Sequence, residues 1–383
     1  MRRGPSAEEE AARKEARRLE NRARKDQAKA EVRERKEKEA LEAKAKKQAE
    51  DLKRRAVPSE PASTPTAVVK GMKGGVTALA ASANHGMLAV ATGDRVINVF
   101  TTASLTSGQP FSRRVNVSLD CASAVAVSDD GDAAYLAAAG ERSRRVTIFG
   151  VKPKVEQVVE LKSFDTEHTE TIVSLALDAG EKRVFSCAAT GDTTVRMFDV
   201  TGVPLASVDT RQVANSSVVI APGFVSVAAF TKDVRIFATT NAKGEADLHR
   251  VMALSGHSSR LSGVAFVPGG SRMVTCSRDG TWRVWTIDVR WDANEDPRQL
   301  ASFTNEDNGA EFDGLAVCPA GRLVALRDGG DARVSVYVID TGKRVARFVL
   351  PTPSAHMVWT GHDQLVTASA EAVAFHVWTV PSA

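Results

Sequence analysis

The pattern of apolar and polar positions changes character once along the chain. From about Ala7 to Ala56 the sequence is almost entirely Ala, Glu, Lys, Arg and Gln, all strong helix formers. Glu and Lys or Arg recur at i,i+4 spacing, as in Glu31–Arg35 and Glu34–Lys38, which supports a solvated helix. The large apolar residues of this segment are Leu19, Val32, Leu41 and Leu52, at spacings of 13, 9 and 11, and these make no heptad seam. The pattern predicts a long, single, charged α-helix over residues 1–56. Pro58-Ser59-Glu60-Pro61-Ala62-Ser63-Thr64-Pro65 cannot continue it and reads as a linker over 57–65.

From residue 66 to 383 helical periodicity is gone. Short runs rich in β-branched residues alternate with Gly, Asp, Asn and Ser turns, the mark of an all-β domain. The clearest unit runs from Gly256 to Trp285. Gly256-His257 opens it; Leu261–Phe266, Arg272–Cys276 and Thr281–Trp285 read as three strands; Pro268-Gly269-Gly270 and Arg278-Asp279-Gly280 read as the turns between them. This unit resembles a WD repeat, a module of about 40–45 residues. In such a blade His257, Thr275, Asp279 and Trp285 are expected to form one buried, hydrogen-bonded chain, because buried polar groups need partners.

The spacing from turn acid to strand aromatic counts the blades. Asp94–Phe100, Asp192–Phe198, Asp279–Trp285 and Asp331–Tyr337 are each six apart, and Glu371–Trp378 is seven apart. Degenerate copies end at Phe149 and Phe237. Seven third-strand ends over roughly 315 residues give about 45 residues per blade, so the sequence predicts a seven-bladed WD40 β-propeller. The chain stops on a third strand at Trp378–Val380, which leaves the last blade without an outer strand. Thr66–Lys70 is expected to supply it and close the ring.

Several stretches narrow the resemblance. Ser277–Trp285 with Asp288-Val289 and Asp296-Pro297, Asp192–Val195 with Gly202 and Leu205–Ser207, Phe230–Arg235, and Arg114–Asp120 are similar to the transducin-beta-like protein 2 family. The resemblance implies a scaffold associated with the endoplasmic reticulum, linked to an unfolded-protein-response kinase and to translation under stress, with RNA binding also attributed. Animal members begin with a hydrophobic anchor and carry a helical C-terminal extension. This chain begins with the charged segment and ends three residues after Val380. A cytoplasmic protein peripheral to the endoplasmic reticulum is therefore expected.

Charge and chemistry refine the picture. Residues 1–56 hold 20 Lys and Arg against 13 Asp and Glu, whereas the remainder holds 31 against 34. Attraction to RNA or to a ribosome is therefore expected to start at the N-terminal segment. The four cysteines, Cys121, Cys187, Cys276 and Cys318, are far apart in apolar stretches, which suits reduced core thiols. No apolar run approaches the ~18 residues of a membrane span. No GxxxxGK[ST], HExxH, CxxC or GxSxG motif occurs, so no enzyme class and no cofactor is indicated. His85, His168, His249, His356, His362 and His376 are scattered, which disfavours a metal cluster. Arg196, Arg235 and Arg283 each precede a strand aromatic by two positions, as strand composition or as a basic ring. The surface expected to dock a protein partner is the face carrying the His and Asp turns, with Arg260, Arg278 and Arg95 exposed on it.

Overall fold

The computed structural model describes residues 63–381 apart from 83–85, 102–103, 106–111, 116–119, 130–133, 153–156, 294, 307–308 and 330–331. The helix expected over residues 1–56 lies outside the described residues. So do Asp331 and His85.

Among the described residues, twenty-eight strands form seven four-stranded antiparallel sheets. Blade 1 comprises β2 (Val76–Ala81), β3 (Leu88–Thr92), β4 (Val96–Phe100) and β5 (Ser112–Val115). Blade 2 comprises β6 (Ala122–Asp129), β7 (Ala134–Gly140), β8 (Arg145–Lys152) and β9 (Gln157–Asp165). Blade 3 holds β10 (Ile172–Asp178), β11 (Arg183–Ala188), β12 (Thr194–Asp199) and β13 (Pro204–Asp209). Blade 4 holds β14 (Asn215–Ala221), β15 (Phe224–Ala229), β16 (Val234–Thr240) and β17 (Ala246–Leu254). Blade 5 follows with β18 (Leu261–Phe266), β19 (Arg272–Ser277), β20 (Thr281–Thr286) and β21 (Arg298–Thr304). Blade 6 has β22 (Phe312–Val317), β23 (Leu323–Asp328), β24 (Arg333–Val338) and β25 (Arg344–Val349). In blade 7, β26 (His356–Trp359), β27 (Gln364–Ala368) and β28 (Ala374–Thr379) are completed by β1 (Ala67–Lys70).

Alternation explains why the sheets stack radially. A strand buried along nearly its whole length is covered on both faces, and the second strand of each blade is of that kind. In β7 the residues Ala134, Leu136 and Ala138 face blade 1, while Ala137 and Ala139 face blade 3. The buried side chains accordingly fall into seven clusters, each shared by two neighbouring blades. The expected aromatic ends Phe100, Phe149, Phe198, Phe237, Trp285, Tyr337 and Trp378 all lie buried on third strands.

The ring closes as the sequence implies. Strand β1 pairs antiparallel with β28, with Val68 opposite His376 and Val69 opposite Phe375. Val69 is 1% exposed and packs with Phe375, Phe100 and Val90 in the cluster between blades 7 and 1. Thr66 clamps the far end: its N–H donates to the Val377 carbonyl at 2.8 Å, and its hydroxyl meets that of Thr379 at 2.9 Å. Ser63 is tied in as well, its N–H donating to the Val349 carbonyl at 3.0 Å at the end of β25.

At the start of the first strand, six blades carry the same register shift, which leaves Thr77, Ser123, Val173, Ser216, Ser262 and Asp313 as the extra residues. Such bulges bend a strand and re-aim side chains. Here they occur at one mouth of the central channel, on the side of the His and Asp turns.

The closure carries a stability prediction. Val69→Ala should destabilise the ring by about 2 kcal/mol, as expected for a large-to-small change in a packed seam. Val68→Ala, at a 43% exposed position on the same strand, should stay within about 0.5 kcal/mol. Thermal melts of the two variants beside the parent protein decide the matter.

Candidate functional site: the turn face of the propeller

Blade 5 holds the most complete polar chain. His257 Nδ1 lies 3.0 Å from Asp279 Oδ2, and its Nε2 lies 2.8 Å from the Thr275 hydroxyl. Trp285 Nε1 donates to that same hydroxyl at 2.9 Å. The network fixes the proton order. Trp285 donates to Thr275, Thr275 donates to His257 Nε2, and His257 Nδ1–H donates to Asp279. The carboxylate also accepts from the backbone N–H of Ser258 at 2.9 Å and of Thr281 at 2.9 Å. Asp279 thereby joins the turn between β19 and β20 to the loop that opens the blade. Burial opposes ionisation of Asp279, but the bonds from Thr281, Ser258 and His257 outweigh it and hold the carboxyl down at about 2. Burial pushes the His257 imidazole below its ordinary value against the pull of Asp279. The pair is thus a carboxylate facing a neutral imidazole.

A second such chain occurs in blade 3, where sequence reasoning grouped His168 with the scattered histidines. His168 Nδ1 lies 2.8 Å from Asp192 Oδ2, and its Nε2 lies 2.9 Å from the Ser186 hydroxyl. The signal was available, because Asp192–Phe198 already marked the blade. The histidine stands 24 residues before its acid instead of 22 and follows Glu167 instead of a glycine. Phe198 has no N–H to give, so this chain begins at Ser186. Blade 7 keeps the opposite half, with Trp378 Nε1 donating to Thr367 Oγ1 at 2.9 Å.

Register shows why the other blades need none of this. Thr275, Ser186 and Thr367 all stand two residues beyond the partner of the third-strand aromatic. The same position in the remaining blades is Val90, Ala138, Val227 or Leu326. A hydroxyl occupies this buried position only where a ring nitrogen faces it. Elsewhere apolar packing takes over, which avoids an unpaired buried polar group.

The turn face presents the residues singled out above. Arg95 and Arg278 are exposed and Arg260 is half-buried. Arg95 adopts φ 68° in the turn after β3. Arg278 approaches Glu311 at 3.7 Å, and its N–H donates to the Arg260 carbonyl at 3.1 Å. The third-strand arginines turn away from any basic ring. Arg196 reaches Glu167 at 3.1 Å, Arg283 donates to Gln299 at 2.7 Å, and Arg235 donates to the Thr210 carbonyl. The central channel encloses about 660 Å³ lined by the first strands of the blades. At its mouth Asp313 pairs with Arg327, which also donates to the Ser354 carbonyl at 2.8 Å. That ion pair escaped the sequence reading, because neither residue belongs to the repeat pattern. Among the described residues no three His, Cys, Asp or Glu side chains converge as metal ligands. No helix among them is long and apolar enough to cross a membrane. Cys187, Cys276 and Cys318 are buried free thiols, with burial pushing Cys187 up to about 12.

Seven four-stranded blades, a strap strand closing the ring and Trp–Thr–His–Asp chemistry in the best-formed blade define a WD-repeat β-propeller, and the chain is a WD-repeat protein. Residues 248–286 match the family WD domain, G-beta repeat. That match starts on β17 of blade 4 and ends on β20 of blade 5, so the sequence repeat runs one strand out of phase with the blade. The chain is similar to Transducin beta-like protein 2 of Mus musculus, at 30% identity over 272 residues covering 69% of this chain and 60% of that protein. Transducin beta-like protein 2 of Homo sapiens is 28% identical over 284 residues, covering 72% of this chain and 62% of its own length. The family read from the sequence is thus the one its relatives carry. The chain spans about three fifths of the length of these curated relatives.

Thr275→Val should destabilise the protein by about 2–3 kcal/mol, because it strands both His257 Nε2 and Trp285 Nε1. Thr367→Val strands only Trp378 and should cost about half as much; chemical denaturation of both variants tests the ranking. Acidification supplies a separate prediction. His257 and His168 have folded values below the ordinary 6.5, so the folded state binds fewer protons and their stabilisation is lost as pH falls below that value. Asp279 and Asp192 are depressed from 3.8, so their contribution disappears lower still. Melting temperature should therefore hold level from pH 8 to 7, fall below about 6.5, and fall again below about 4.

Proposed function

We propose that this chain is a non-enzymatic docking scaffold whose propeller binds protein partners on the turn face that carries Arg95, Arg260 and Arg278. The observation that carries this reading is how the face is built. In blades 3 and 5 the turns are pinned from below by buried His–Asp pairs, so exposed side chains there are held on a rigid support, which favours protein docking. The polar groups beneath them are spent on one another, His257 and His168 on their own aspartates. The hydroxyls that face the two histidines, Thr275 and Ser186, are fully buried between blades, where no substrate reaches them. The proposed setting follows the resemblance to transducin beta-like protein 2: a cytoplasmic scaffold peripheral to the endoplasmic reticulum, acting in stress signalling and translation control, with a stress-response kinase as one partner.

A second reading rests on the 20 basic against 13 acidic residues of positions 1–56. In it the chain is an RNA- or ribosome-associated accessory factor that binds mainly through that segment. One experiment separates the two. Partner and RNA capture are compared between the full chain and residues 57–383, each at about 50 and 200 mM salt. Docking through the turn face should survive both truncation and salt. Phosphate-driven binding should drop by several orders of magnitude with salt and vanish on truncation. Loss of every protein partner on truncation would sink the scaffold reading.

A further inference from the structure

We infer that the turns of blades 4 and 5 form one docking spot, centred on Phe230 and Arg260, for an acidic peptide segment carrying a bulky apolar side chain. This rests on the reading of the turn face as a docking surface, and it names the part that binds and the chemistry it takes.

Two large apolar side chains are exposed there on ordered turns, Val213 at 71% and Phe230 at 48%. They are neighbours, since the Phe230 N–H donates to the Ala214 carbonyl at 3.0 Å. The guanidinium carbon of Arg260 lies 4.7 Å from the centroid of the Phe230 ring. Backbone bonds extend the strip, from Leu261 N–H to the Thr231 carbonyl at 2.9 Å and from Arg278 N–H to the Arg260 carbonyl at 3.1 Å. Val213, Phe230, Arg260 and Arg278 are therefore contiguous across two blades. Their support is stiff. Buried Gln212 donates to Thr231 Oγ1 at 3.0 Å, and Asp279 holds Ser258 in the loop that carries Arg260.

Charge selects the ligand. Arg196, Arg235, Arg283 and Arg327 are all committed to protein oxygens. Arg260, by contrast, makes no side-chain hydrogen bond or ion pair among the described residues and is held by its stack on Phe230. A guanidinium already oriented on an aromatic face loses little freedom when it grips a carboxylate. Exposed Arg211 and Lys232 add positive charge on the same turns. Asp279 is engaged with His257, Asp209 with the Thr193 hydroxyl at 2.6 Å and Glu311 with Arg278, so of the nearby carboxylates Asp233 on the Phe230 turn is the one that offsets this positive charge. Beside the cation, Phe230 and Val213 offer apolar surface that a bulky side chain can cover. Nucleic acid is disfavoured. Residues 57–383 hold 31 basic against 34 acidic residues, so this region carries no net positive charge to draw in the run of phosphates that such binding requires.

The test selects a display library of random twelve-residue peptides on the full chain and measures the enriched peptides by fluorescence anisotropy, with a labelled single-stranded RNA in parallel. Enriched peptides should combine Asp or Glu with Leu, Phe or Trp. Phe230→Ala should weaken them about tenfold, Arg260→Glu more, and Arg260→Lys less than Arg260→Glu. Phe230 is exposed and Arg260 half-buried, and circular dichroism melts confirm that each variant folds. Lys162→Glu, exposed on the outer strand β9 of blade 2, should leave affinity unchanged. Peptides lost on Arg95→Glu but indifferent to Phe230→Ala and Arg260→Glu overturn this inference and leave the broader docking reading standing. Failure to enrich any acidic-apolar sequence overturns it, and so does RNA binding abolished by Arg260→Glu.

Discussion

A propeller depends on every blade being covered on both faces, and a linear chain can meet that demand only by joining its two ends. The seven apolar clusters lie between blades, so none belongs to one sheet alone. Were the seam between blades 7 and 1 to open, Phe100 and Phe375, packed edge-to-face at 5.4 Å, would both meet water. Pairing of β1 with β28 prevents this by making the two ends strands of one sheet. The backbones come close there too. Gly75 has φ +78°, and a Cβ at that position would meet the Ala370 carbonyl oxygen at 1.9 Å, so only glycine allows blades 1 and 7 to approach as they do.

Within this frame the polar chains are local answers to one question, namely what a buried hydrogen-bonding group does in a dry seam. Blade 5 answers with four residues, blade 3 with three and blade 7 with two. In the remaining blades the shared register position is apolar. These solutions are alternatives: each blade keeps a hydroxyl at this position only where a ring nitrogen pairs with it, so a shortened chain still satisfies the seam. The His–Asp pairs do more than fill space, because Asp279 and Asp192 also bind the backbone of the loop ahead. They convert core packing into a fixed outer surface, and so connect the interior to docking.

How much of this was legible follows from where the constraint lay. The seven aromatic ends and the outer strand borrowed from Ala67–Lys70 were readable, since each is a repeated spacing or a break in one. Blade 5 was readable residue by residue because it keeps Gly256, His257, Asp279 and Trp285 in step. His168 was missed because a two-residue insertion and a glutamate hid it, although its acid was in view. Of the strip from Val213 to Arg278, sequence reasoning reached Arg260 and Arg278 but neither Val213 nor Phe230. Its members are spread over 66 positions, and only the lateral stacking of blades brings Phe230 beneath Arg260. Repeats report what each blade shares, whereas recognition surfaces are made of what neighbouring blades do not share.

The meeting of Thr66 and Thr379 through their hydroxyls has a topological consequence. Two positions that lie 313 residues apart along the backbone are adjacent in space, so a short bridge could join them into a covalent circle. New termini could then be cut in any loop between blades without altering which blade touches which. The order of blades would persist as a cyclic sequence with no privileged starting point, and the place where the polypeptide happens to begin would become a matter of convenience for the ring.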